Sequence, residues 1–273
     1  ISCSWGSGSF SQTNFNIIQF GINNGSIIVA ASGNNNANLS ISPKYPACYD
    51  GVICVANTNS SDSKASSSNY GDRIDISAPG SSILSTIPYN GYSSKTGTSM
   101  SAPMVAGLLG LMKSHAPLAT NEQLISCLKT SADDIDVINP NYSGLLGAGR
   151  INAFNALQCL SPPIADFDVL SAENCNGKVY FHDKSSNYPK AWQWDFDGDG
   201  IVDDSIQQGE IIFNQSGFYN TTLMVTNDFG SDSKTITNSY SIQLSSPPNL
   251  EDVNIWKGDS ALLQSSNDSD LKW

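Results

Sequence analysis

Basic residues are scarce. Only 13 Lys and Arg stand against 25 Asp and Glu, and the formal net charge is −12. That balance excludes nucleic acid as a partner, because its phosphates would be repelled. The deficit is uneven: residues 1–160 hold 7 basic and 8 acidic side chains, residues 161–273 hold 6 and 17. Such acidity suits a soluble, calcium-containing extracellular setting, and solubility alone also accounts for it. Long apolar runs are missing, so no membrane span is expected, and no segment reads as an export signal. None of the six Cys stands in a Cys-x-x-Cys pair, and the two His lie far from them, which argues against zinc. For Cys3, Cys48, Cys54, Cys127, Cys159 and Cys175, three states stay open: a short Cys48–Cys54 bridge, a Cys54–Cys127 bridge, or free buried thiols. The chain opens on Ile1 without Met and stops at Trp273, both inside strand-like patterns, so a piece of a longer polypeptide is expected.

What is present begins as alternating helix and strand. Asn14–Asn24 carries Phe15, Ile18 and Ile22 at helical spacing and stops at Gly25. Ile27–Ala31 follows as a short apolar run, as a buried parallel strand requires. Lys95–Leu109 starts polar and turns apolar. Pro103 is expected in the first turn of a helix, with Ser99 at its mouth among free N–H groups. A hydroxyl there has an anion-stabilising backbone beside it. Val105, Leu108, Leu109, Leu111 and Met112 predict a helix that is apolar on most sides, with Ala102, Ala106, Gly107 and Gly110 allowing close approach. Asn121–Ser131 reads as another helix, started by Thr120. The fold expected is α/β with a parallel sheet.

Gly97-Thr98-Ser99-Met100-Ser101-Ala102-Pro103, followed by Val105-Ala106-Gly107, resembles the nucleophile motif of subtilisin-like serine peptidases. Met104 stands where that family usually has His, at a position that is not catalytic. Ala30-Ala31-Ser32-Gly33-Asn34 resembles the family's oxyanion segment, and Ser4-Trp5-Gly6 its substrate-pairing edge. Pro43–Ala47 with Gly51–Ala56, Asp75–Gly80 and Gly147–Ala153 extend the likeness over residues 1–160. The resemblance implies a secreted or cell-surface serine endopeptidase acting on proteins or peptides, with no cofactor required. It makes Ser99 the nucleophile and Asn34 the donor to the oxyanion. Loss of one such donor costs roughly 100- to 1000-fold in turnover, a magnitude taken from a member of that family. Ser4, Trp5, Gly6 and Gly33 would line the cleft. Lys44, before Tyr45-Pro46, would stand near the floor of the specificity pocket and favour an acidic residue before the cut; snorkelling to water is the other reading. The family's Asp and His are missing. His115 follows Ser99 on the same helix, His182 lies beyond it, and the expectation places both missing groups upstream of Ile1.

Pro162-Pro163 ends the helical signals, and period-2 strands follow, as in a β-sandwich. Ala191–Gly200 and Gly217–Asn227 resemble PKD-type domains, which implies a surface, polysaccharide or protein partner. The expected division is 1–160 peptidase-like, 161–246 PKD-like and 247–273 the start of an immunoglobulin-like module. Asp195, Asp197, Asp199 and Asp203 fit the opening of a calcium loop, but Ile206 takes the twelfth position, so a structural turn is expected and calcium is optional. The competing overall reading is a peptidase scaffold without activity that serves as a binding module.

Overall fold

The computed structural model describes residues 1–173 and 177–244. The expected module at 247–273 and Cys175 lie outside the described residues. The chain divides into two compact units, Ile1–Pro163 with Asn227–Gly230, and Ile164–Thr226 with the residues from Ser231.

The first unit is built on a parallel sheet in the order β1 (Ser2–Cys3), β2 (Ile28–Ala31), β3 (Val52–Thr58), β4 (Ile76–Pro79). Strands β2 and β3 are buried along their whole length, which is why their sequences are continuous apolar runs without alternation. Helix α1 (Gln12–Asn23) turns Phe15, Ile18 and Ile22 onto Ile28, Ala30, Val52 and Cys54. Successive strand residues point to opposite faces, so the other face is left to α2 (Thr98–His115), which packs along β1–β4. A hairpin, β5 (Ile83–Ile87) with β6 (Gly91–Lys95), leads into α2. Helix α3 (Asn121–Thr130) starts in a capping box, Thr120 with Gln123, and α4 (Ala153–Cys159) is capped by Asn152.

Three expectations are corrected. Pro103 is the sixth residue of α2, not part of its first turn, because the helix already begins at Thr98. Helix α2 is buried along one face only, through Ala102, Val105, Leu108, Leu109 and Met112. Leu111 is exposed, and a Cβ added at Gly107 or Gly110 would meet nothing. The disulfide joins Cys127 to Cys159, with Cα atoms 5.6 Å apart, so neither expected bridge forms. The reason is placement: Cys127 and Cys159 sit on the packed helices α3 and α4, whereas Cys54 is sealed inside β3. Cys3, Cys48 and Cys54 are thiols, and burial pushes the Cys54 thiol well above its ordinary range.

The second unit holds two antiparallel sheets. One is ordered β10 (Glu210–Ile212), β8 (Lys178–Asp183), β7 (Phe167–Glu173); the other β12 (Gly230–Ile242), β11 (Gly217–Asn227), β9 (Ala191–Asp195). Period-2 alternation sends Val179, Phe181, Trp194, Phe196, Leu223 and Val225 into one aromatic-rich core, the arrangement of a β-sandwich. Among the described residues no helix is long and apolar enough to cross a membrane.

Candidate active site

Helix α2 fixes the position of Ser99. Gly97 precedes the helix at φ 155°, its N–H bonded to the Gly80 carbonyl, and as glycine it offers no side-chain cap of its own. Ser99 is therefore the second helical residue, half-buried in the first turn, where backbone N–H groups have no partner four residues back. Pro103 has no N–H for the Ser99 carbonyl. The Ser4 hydroxyl takes that place and donates to Ser99 O at 2.8 Å, while Ser99 Oγ donates to Ser4 O at 3.2 Å. Ser4 follows directly on β1, so the sheet edge and the helix mouth are tied together.

Asn34 follows β2 and reaches the same place. Its Oδ1 accepts from the Thr98 N–H at 2.9 Å and from Thr98 Oγ1 at 3.2 Å. A Cβ built on Gly97 would stand 3.3 Å from Asn34 Nδ2, so glycine there leaves room for the amide. Thr98 Oγ1 also accepts from the Gly33 N–H at 3.1 Å. Its oxygen is thus held by Thr98, while the amide also carries two N–H donors.

The wall opposite is a short antiparallel bridge between Ser7 and Tyr45, with both backbone bonds at 2.8 Å. Gly6 lies against it; a Cβ there would come within 3.0 Å of Tyr45 O. Trp5 is exposed. The half-buried Lys44 stem passes Gly33, with Cγ 3.5 Å from an added Cβ, and its Nζ ends 3.6 Å from the same point on Gly8. Among the described residues no carboxylate pairs with it. Pairwise contacts thus link Ser4 to Ser99, Gly33 and Asn34 to Thr98, and Lys44 to Gly33.

Two residues that sequence reasoning passed over are built into this arrangement. Thr98 was read as part of a motif but not as the anchor of Asn34. Asn69, in none of the motifs named from the sequence, is wholly buried behind the Asn34 loop. His115 closes α2, its Nε2 3.2 Å from Ser161 Oγ, and 16 residues of helix separate it from Ser99, roughly 24 Å of rise. His182 lies on β8.

In the second unit, Asp195, Asp197 and Asp203 bring carboxylate oxygens within 4.8 Å of one another; Asp199 is not in that group. Asp195 accepts the N–H of Gly198 at 2.7 Å and of Gly200 at 2.9 Å, and Asp203 that of Phe196 at 2.7 Å. These oxygens are hard donors of the kind calcium takes, and each of these two side chains also holds the turn's own backbone. Burial, partly offset by the Phe196 N–H, pushes the Asp203 carboxyl up, and Asp197, Asp195 and Asp199 add to the rise.

Known proteins resemble the chain in two blocks. The model of the subtilase family matches residues 1–149, and the PKD domain model matches 161–242. Thermitase of Thermoactinomyces vulgaris is 40% identical over 141 residues, 52% of this chain and 47% of thermitase. An extracellular protease of Xanthomonas campestris is 42% identical over 156 residues, 54% of this chain and 26% of that protein. Among solved structures, a protease of Pseudoalteromonas arctica superposes with a TM-score of 0.51 at 34% identity, covering 56% of this chain and 48% of its own. The chain therefore spans about half the length of thermitase and about a quarter of the Xanthomonas protein. Because the family match takes in more than half of the residues and runs through Ser4, Asn34 and Ser99 alike, the chain belongs to the subtilase family.

Proposed function

We propose that these residues carry the nucleophile, the oxyanion site and the substrate edge of a serine endopeptidase. Ser99 Oγ attacks the scissile carbonyl. Its oxygen, as it gains charge, receives the Asn34 Nδ2–H and the Ser99 N–H. The free edge at Ser4–Gly6 pairs with the extended substrate backbone. The observation that supports the reading is the Thr98 N–H on Asn34 Oδ1, which ties the Asn34 side chain to the residue just before Ser99. His115, at the far end of the same helix, does not supply the base. The reading places the imidazole and its carboxylate in the half of a thermitase-like domain that this chain does not span.

A fluorophosphonate probe tests this on the full-length polypeptide that carries the chain. Labelling at Ser99, abolished by Ser99→Ala, is expected, with little labelling of residues 1–273 alone. Absence of labelling in the full-length protein would favour the alternative, a scaffold without activity that binds a surface, polysaccharide or protein through its PKD domain.

Finer features extend the proposal. The Lys44 ammonium, with no carboxylate partner among the described residues, favours Asp or Glu before the cut. A peptide library should show that preference, and Lys44→Met should reverse it by about 10-fold or more in kcat/KM. Secretion or cell-surface placement is part of the proposal, supported by the likeness to an extracellular protease. No cofactor is needed, and Asp195, Asp197, Asp199 and Asp203 act as a structural turn.

A further inference from the structure

The loop that carries Asn34 is held from behind at almost every residue. Asn69 is fully buried, and its side chain makes three hydrogen bonds to that loop. Its Nδ2 donates to Ser32 O at 2.7 Å, and its Oδ1 accepts from the N–H groups of Asn35 at 3.0 Å and Ala37 at 2.9 Å. Its backbone N–H donates to Gly33 O at 3.0 Å, and Asn36 N–H reaches Ser67 O at 2.8 Å. Residues 32, 33, 35, 36 and 37 are thus tied to 67–69. Asn34 is skipped, and its side chain is held instead by Thr98 from the other side. Gly33 completes the fit: at φ +99°, a Cβ there would stand 2.7 Å from Asn69 Nδ2.

Resting on the assignment of Asn34 and Ser99 above, we propose that Asn69 is the positioning residue of the oxyanion site. It fixes the backbone on both sides of Asn34, so that the amide donors meet the developing charge without reorganising. The position calls for one amide and nothing else of similar size. Two N–H groups need an acceptor and one carbonyl needs a donor, on the two ends of one short side chain. Aspartate would set a carboxylate oxygen against Ser32 O. Serine keeps part of the hydrogen bonding but cannot span all three partners.

The test is a double-mutant cycle in the full-length polypeptide, with kcat and KM measured on a peptide anilide. Asn69→Asp and Asn69→Ser are each made with Asn34 intact and with Asn34→Ala, and thermal melting confirms that each is folded. With Asn34 intact, kcat is expected to fall about 10- to 100-fold while KM changes by less than about three-fold. With Asn34→Ala, the same substitutions should lower kcat by less than about three-fold, because the donor that Asn69 positions is gone. Should Asn69→Asp fail to fold, the smaller uncharged Asn69→Ser carries the comparison. Equal losses in both backgrounds, or no loss in either, overturn the assignment of Asn69 alone. If Asn34→Ala itself leaves kcat unchanged, the oxyanion reading falls and this inference with it.

Discussion

Pro103 deprives helix α2 of one donor, and Ser4, just past β1 and 95 residues before Ser99, replaces it. A sequence reading can place proline near a helix start, but it cannot say which hydroxyl will answer the orphaned carbonyl. That is settled by the β1 edge lying beside the helix mouth. Ser4→Ala is therefore expected to lower stability by about 1 kcal/mol, the usual net worth of one hydrogen bond. A urea midpoint that stays in place would show that water serves the Ser99 carbonyl equally well. Asp203 is a second residue whose role shows only in three dimensions. Its folded carboxyl lies above the ordinary 3.8, so the folded state holds the proton more tightly than the unfolded chain. Its contribution is thus fully present below 3.8 and is lost as pH rises through the higher folded value. Asp203→Asn keeps the oxygen that accepts from Phe196 and should flatten this slope, making the second unit more stable at neutral pH than the parent. If the cluster is a turn, millimolar calcium leaves the melting temperature in place; a rise of several degrees, absent in Asp203→Asn, would make these carboxylates ligands.

At the scale of elements, buried strands and capped helices were legible because local pattern and tertiary demand agree. Ile28–Ala31 is an apolar run because both of its faces are covered, and Thr120 and Gln123 announce the start of α3 by their own chemistry. Ser99 at a helix mouth was legible from the residues themselves, but Asn34 only through the family resemblance, since an Asn in an Asn-rich turn carries no signal of its own. The hairpin partner β6 escaped notice because Gly91–Lys95 is mostly polar and exposed. The disulfide escaped for another reason. Spacing favours neighbours such as Cys48 and Cys54, but pairing follows the packing of α3 on α4, which local sequence does not encode. That bridge spans 32 residues, so in the chain-entropy picture it restricts the unfolded state by about 3–4 kcal/mol. Replacing both Cys127 and Cys159 by Ala should lower the stability of the first unit by about 2–4 kcal/mol in urea unfolding. A loss under about 0.5 kcal/mol would mean that packing of the two helices already sets their separation.

Across the whole molecule, charge and structure are divided differently from one unit to the next. The helices among the described residues all lie within the first unit, where acidic and basic side chains nearly balance. The second unit lies in a region with 17 acidic and 6 basic side chains, and its core is built around the fully buried Trp194. Like charges on one compact body repel, and they repel less when salt shortens the screening length from about 10 Å at 0.1 M towards 3 Å at 1 M. Salt should therefore act on the two units unequally. The two have separate reporters: helical circular dichroism follows the first, and the emission shift of buried Trp194 follows the second. Between low salt and about 0.5 M sodium chloride, the midpoint reported by tryptophan should rise by a few degrees, while the helical midpoint moves much less. Equal shifts of both would mean that the acidic side chains of the second region stand far enough apart for water alone to screen them.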